Sequence, residues 1–159
     1  MKSILHFSLA FIILFAGCKK GKDGTDGKDG NANVKYRTFN SPGWNDNGSY
    51  WYTDLGVPEI TSDNLNSAAV QVFIGTGTDW TAIPCAYVTS TNYFWTFIMS
   101  TGSVRVKWTY NGIGSGSSPN SIYNATVQVK VVVIPPALIK PGINYRNYDE
   151  LRKAYNIQE

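Results

Sequence analysis

The body of this 159-residue chain predicts an all-β fold, an antiparallel β-sandwich of about seven strands with a short C-terminal helix. Three observations carry that expectation. Apolar and polar side chains alternate with period two through several short stretches, glycine-bearing turns separate those stretches, and no helical periodicity interrupts them before the C-terminus. A closed barrel is the alternative architecture.

The alternation is clearest at Val104, Val106, Trp108 and Tyr110, with Arg105, Lys107 and Thr109 between them. Val127, Val129, Val131 and Val133 form a second such row, with Gln128 and Lys130 facing the other way. Val70, Val72 and Ile74 make a third, and further strands are expected near Val34–Phe39, Tyr50–Leu55, Trp80–Pro84 and Tyr93–Ser100. Turn residues divide them at Asn47-Gly48, Gly75-Thr76-Gly77, Thr101-Gly102, Asn111-Gly112 and Gly114-Ser115-Gly116. Thr101-Gly102 lies between two strong strands, so a hairpin is expected there.

One terminal helix is expected. Asn147 has the side chain of an N-cap, Glu150 follows three residues later, and Asp149 and Glu150 suit the positive end of the helix dipole. Tyr148, Leu151 and Tyr155 fall on one face, which predicts docking onto the sandwich. Pro135, Pro136 and Pro141 end the last strand and stiffen the approach to the helix.

The N-terminus has a different character. Ile4 to Ala16 is a 13-residue apolar run broken only by His6 and Ser8, preceded by Lys2. Crossing a hydrocarbon layer of ~30 Å needs about 20 apolar residues, so the run has the length of a signal-peptide core. It closes on Leu14-Phe15-Ala16-Gly17-Cys18, which resembles a bacterial lipobox, although Phe15 is bulkier than the residue common at its position. A thiol can become a thioether to diacylglycerol, and stable anchoring needs two or more acyl chains such as palmitate. Residues 1–17 are therefore expected to be removed, with Cys18 lipidated and membrane lipid its partner. An ordinary secretory signal or an uncleaved anchor is the alternative.

Residues 18–33 hold glycines at Gly21, Gly24, Gly27 and Gly30, a collagen-like period. So few triplets without proline do not sustain a triple helix, so the expected form is a solvated tether and not a triple-helical trimer. Twelve such residues span roughly 20 Å on average and ~40 Å when stretched. Residues 34–159 form the globular domain.

Composition narrows the chemistry. Removing the signal takes Lys2 with it and lowers the formal charge from +3 to +2, and no basic stripe supports nucleic-acid binding. The sole histidine, His6, lies in the signal, so the mature chain lacks the commonest general base and transition-metal ligand. Cys85 is left without a partner for a disulfide, and its apolar setting after Pro84 suits a buried structural thiol. No cofactor and no catalytic residue is expected. Asn45-Asp46-Asn47-Gly48 resembles the start of a calcium loop, but it lacks the downstream glutamate, and a hairpin turn accounts for the same residues. Carboxylates for glycoside hydrolysis would come from Asp46, Asp54, Glu59, Asp63 and Asp79, provided two of them converge.

Aromatic content is the strongest hint of a ligand: five Trp, ten Tyr and seven Phe. Alternation places Tyr50 and Tyr52 on the face opposite Trp51, and Phe94 opposite Tyr93, Trp95 and Phe97. The residues able to stack a sugar ring are Tyr50, Tyr52, Trp80 and Trp95, with structural packing as the competing explanation.

Taken in order, Cys18, the Gly-X-Y spacer, Asn31-Ala32-Asn33-Val34, Val131-Val132-Val133-Ile134-Pro135, Ile139-Lys140-Pro141 and Asn147-Tyr148-Asp149-Glu150-Leu151 give the chain a recognisable outline. It resembles small Bacteroidota lipoproteins with a short collagen-like spacer. The resemblance implies lipidation of Cys18 and an outer-membrane location, and it carries over no catalytic or ligand residue. Lys19 and Lys20 follow the cysteine where surface-exposed lipoproteins of that phylum often have acids, which leaves the periplasmic and the cell-surface face both open. The expected role is a non-catalytic binding or structural module. A carbohydrate-binding domain is the alternative, and a carboxylate hydrolase stands behind it.

Overall fold

A computed structural model describes residues 33–88 and 92–158, so the expected signal sequence, Cys18 and all but the last residue of the expected tether lie outside the described residues. Among the described residues, nine strands form two antiparallel sheets, giving the expected sandwich. The four-stranded sheet runs β1 (Lys35–Phe39), β9 (Gln128–Ile134), β4 (Ala69–Gly75), β5 (Trp80–Ile83). The five-stranded sheet runs β2 (Asn45–Asp46), β3 (Tyr50–Gly56), β8 (Ser103–Tyr110), β7 (Asn92–Ser100), β6 (Cys85–Val88).

Period two decides which residues meet between the sheets. Val70, Val72 and Ile74 of β4 and Val129, Val131 and Val133 of β9 face Leu55, Val104, Val106, Trp95 and Trp108 of the other sheet. The middle of this core is aromatic. Trp108 is fully buried, stacks on Tyr93 with centroids 4.5 Å apart and planes 7° from parallel, and meets Trp95 at 4.5 Å. The indole N–H groups of Trp108 and Trp95 donate to the Ser117 carbonyl and the Tyr123 hydroxyl, both at 3.1 Å, so neither ring carries an unsatisfied donor into the interior.

Three features depart from the sequence reading. The stretch expected as one strand from Trp80 to Pro84 ends at Ile83, and the chain changes sheets at Pro84 to continue as β6. Proline has no N–H to give to a ladder, so pairing stops there. The two-residue β2 is too short for any period to be legible. A five-residue helix, α1 (Pro119–Tyr123), follows the glycine-rich loop, with Ser118 as N-cap and Pro119 at the first position.

The two best-marked turns form as expected. β7 and β8 pair from Ser100 and Ser103 outward, with Gly102 at φ 74° in the left-handed region. At Asn47-Gly48 the Asp46 carboxylate accepts the Gly48 N–H at 2.8 Å, and the Asn47 side-chain Oδ1 accepts the N–H groups of Ser49 and Tyr50 at 3.0 Å. The oxygens that resembled calcium ligands hold a hairpin.

The second helix, α2 (Tyr148–Ala154), docks as its periodicity predicts. Tyr148, Leu151 and Tyr155 pack with Phe73, Ala82, Val132 and Ile134 on the outer face of the four-stranded sheet. This explains why β9 reads as an almost unbroken apolar run: it is covered on both faces. The Asn147 side chain accepts the Glu150 N–H at 3.1 Å. The Glu150 carboxylate accepts from Asn144 N–H at 2.8 Å and so ties down the lead-in to the helix as well. A seven-residue helix is marginal in isolation, and tertiary burial holds this one. No helix among the described residues is long and apolar enough to cross a membrane.

Two phenols report on this packing. Burial pushes the Tyr123 hydroxyl up to about 12, against the opposing hydrogen bond from Trp95. Burial also raises Tyr155 to about 12, with the Tyr145 hydroxyl adding to the effect. Both folded values lie above the ordinary 10.0. The stability they represent is therefore fully present below about pH 10 and lost as pH rises through about 12. In a spectrophotometric titration Tyr123 and Tyr155 should ionise only near pH 12, together with unfolding. A single wave centred near pH 10 in the folded protein would contradict the packing described.

Candidate functional site

The outer faces of the two sheets differ. On the five-stranded sheet, Tyr50, Tyr52 and Asp54 of β3 lie in register with Thr109, Lys107 and Arg105 of β8. Tyr50 and Tyr52 meet edge to face at 6.1 Å. The Lys107 ammonium sits 4.1 Å from the Tyr50 centroid, and the Arg105 guanidinium sits 4.5 Å from that of Tyr52. Arg105 also forks onto Asp54 at 2.6 and 2.7 Å. These rings are half-buried and have cations over them, so they do not form a bare stacking platform. Trp95, expected as a stacking residue, is 0% exposed in the core and cannot meet a ligand. Its place on the inner face follows from β7 running antiparallel to β8 with Trp95 opposite Trp108.

Trp80 has the stronger position. It stands on β5 directly opposite Gly75 of β4, on the outer face of the four-stranded sheet beside the N-terminal end of α2. A Cβ at position 75 would fall 2.4 Å from the Asp79 carbonyl oxygen and 3.1 Å from Trp80 Cε3, so the glycine is what lets the indole lie there. Lys130, on β9, is only 1% exposed. Its ammonium lies 4.1 Å from the ring centroids of both Trp80 and Tyr148 and donates to the Tyr148 hydroxyl at 2.9 Å. Burying an ammonium costs several kcal/mol, which a desolvated cation–π contact of about 2 kcal/mol and a charge-assisted hydrogen bond partly offset. The cluster thereby fixes Trp80, Lys130 and Tyr148 relative to one another.

Two hollows flank this cluster and share Thr78, Trp80, Tyr148 and Asp149. One, of about 530 Å³, runs past Asp79, Cys85, Arg146 and Asn147. The other, of about 680 Å³, is lined by Tyr36, Thr38, Asn40, Gln128, Lys130 and Arg152. Both fall within the range of small-ligand sites. The walls are held in place. The Tyr36 hydroxyl donates to the Gln158 carbonyl, Gln128 Nε2 donates to Asn40 Oδ1 at 3.3 Å, and Arg146 donates to the Pro84 carbonyl at 2.8 Å.

The candidate acids each have their own surroundings. Asp54 and Glu59 are each held below the usual carboxylate range, first by hydrogen bonds from Arg105 and Arg37 respectively. A general acid for glycoside cleavage needs the opposite shift. Asp46 serves its hairpin, Asp63 accepts from Ser62, and Asp79 lies at the smaller hollow. Burial raises the Cys85 thiol, against a small pull from Arg146, which favours the unreactive protonated form. No group of three His, Cys, Asp or Glu able to hold a metal ion occurs among the described residues.

Of the four residues singled out for stacking, Trp80 lines both of these hollows, with Tyr50 and Tyr52 on the other sheet and Trp95 inside. Sequence reasoning passed over Lys130, Arg152, Asn40 and Gln128. Lys130 did carry a signal, as the one charge inside the valine-rich final strand. No family profile, no curated protein and no solved structure matches this chain.

Proposed function

We propose that this chain is a lipid-anchored, non-catalytic module of the outer membrane whose β-sandwich body binds a small or extended ligand, with saccharides as the favoured class. The observation that carries the binding role is the pre-formed hollow beside Trp80, whose walls are already fixed by Gly75, Lys130 and Tyr148. A site with little left to order on binding loses less affinity to entropy. Aromatic rings beside the amides of Asn40 and Gln128 and the hydroxyls of Thr38 and Thr78 suit a polyhydroxylated ligand, and this favours the carbohydrate reading over a purely structural role.

The anchoring role rests on Cys18 at the end of its apolar run. Replacing Cys18→Ala should abolish incorporation of radiolabelled fatty acid and move the protein out of the membrane fraction. Acylation that persists in the variant would refute the anchor.

A further inference from the structure

We propose that the larger hollow, between Trp80 and the start of α2, takes a carboxylated saccharide whose carboxylate pairs with Arg152 and whose hydroxyls are shared among Asp149, Asn40 and Gln128. This rests on the binding reading above and names its ligand class.

The charge pattern carries the assignment. Of the four arginines, Arg37 forks onto Glu59, Arg105 forks onto Asp54, and Arg146 holds the Pro84 carbonyl. Arg152, which lines the hollow, makes no ion pair among the described residues. Its planar pair of N–H donors matches a carboxylate. Lys130 adds a second positive charge to the same lining from within the sheet, at a depth where screening by solvent is weak.

The polar lining selects against simpler anions. Asp149 stands in the same rim as Arg152, on the first turn of α2, and makes no ion pair among the described residues. A carboxylate there repels a doubly charged phosphate about twice as strongly as a singly charged uronate, and it can accept two hydroxyl groups of a sugar. The Asn40–Gln128 hydrogen bond uses one amide N–H and one side-chain carbonyl, and leaves the amide Nδ2 of Asn40 and the Oε1 of Gln128. A donor beside an acceptor is the arrangement that vicinal hydroxyls satisfy. The ring has apolar surface to meet at Tyr36, which is 37% exposed and tied by its hydroxyl to the chain end, and at Trp80.

The test is calorimetric titration of the full chain in detergent with four probes: trigalacturonate, trimannuronate, N-acetylneuraminate and neutral galactotriose. At least one acidic probe should bind ten times or more tightly than galactotriose, and Arg152→Gln should weaken that binding about tenfold or more. Lys153→Gln, which removes the same charge from the neighbouring exposed position, should leave it unchanged. Galactotriose binding as tightly as every acidic probe would overturn the carboxylate assignment while leaving the saccharide reading intact. Equal losses in the two variants would overturn Arg152 as the partner. Heat from none of the four probes would overturn the saccharide reading together with this inference.

Discussion

Trp108→Ala should remove about 3–5 kcal/mol of stability, the range for deleting a large buried aromatic side chain. Folded domains are typically stable by only about 5–15 kcal/mol, so the variant should be partly unfolded at moderate temperature. The side chain is fully buried and lies against Tyr93, Trp95, Tyr87 and Tyr123 at once. Removing it opens a cavity, ends the stacked contact with Tyr93, and leaves the Ser117 carbonyl without its indole donor. The backbone cannot collapse readily into the gap, because β8 is the central strand of its sheet and is paired along both edges. Trp108→Phe should cost distinctly less, since a ring remains and only the hydrogen bond and part of the volume are lost. Urea unfolding followed by far-ultraviolet circular dichroism would measure both. A loss below about 1 kcal/mol in the alanine variant would mean that the aromatic cluster does not organise the core.

Leu151→Ala should cost about 2–5 kcal/mol, although it sits on a short terminal helix where fraying would make a substitution nearly silent. The difference lies in what the helix covers. Leu151 is 0% exposed and packs in a cluster with Phe73, Val132 and Ile134, which form the outer face of the four-stranded sheet. Without a docked α2 that apolar face would meet water, so helix and sheet should unfold in one transition. The same measurement has a second consequence, since Tyr148, Asp149 and Arg152 of α2 line the larger hollow. A repacked α2 should therefore weaken ligand binding in the fraction of the variant that stays folded. A normal unfolding midpoint together with loss of α2 amide protection would show the helix to be an independent flap and would contradict this account.

How much was legible beforehand can be judged residue by residue. The alternation through Val104–Tyr110 and Val127–Val133 placed the right side chains in the core, because in a strand the face of each residue follows from its parity alone. The helix at Asn147 was legible from its cap and its apolar spacing, both local properties. The hairpin at Thr101-Gly102 was legible because a glycine between two strands is itself the turn signal. The switch of sheets at Pro84 was not, since a proline shows that a ladder stops and not where the chain goes next.

The candidate site was legible only in part, and the reason is physical. Parity separates the aromatics into two sets but does not say which set is inside. Tyr50 and Tyr52 fall opposite Trp51 by parity and the fold makes theirs the outer face, whereas Trp95, equally eligible as a ligand platform by sequence, belongs to the core. The groove draws Tyr36, Trp80, Lys130 and Arg152 from β1, β5, β9 and α2. Those segments are brought together by strand order, which no local spacing encodes.

By itself, then, the sequence determined the class of fold, the faces of its strands, the terminal helix, and the expectation of an acylated cysteine at position 18. These depend on side-chain periodicity, capping and the length of an apolar run, and each acts over a few residues. Only the tertiary structure decided which aromatics line a hollow, what shielded Lys130, and that Arg152 lines the larger hollow without an ion pair among the described residues. Such properties belong to pairs distant in the chain, such as Gly75 making room for Trp80 against a lysine 50 residues further on, and contact between them exists only once the sheet has formed.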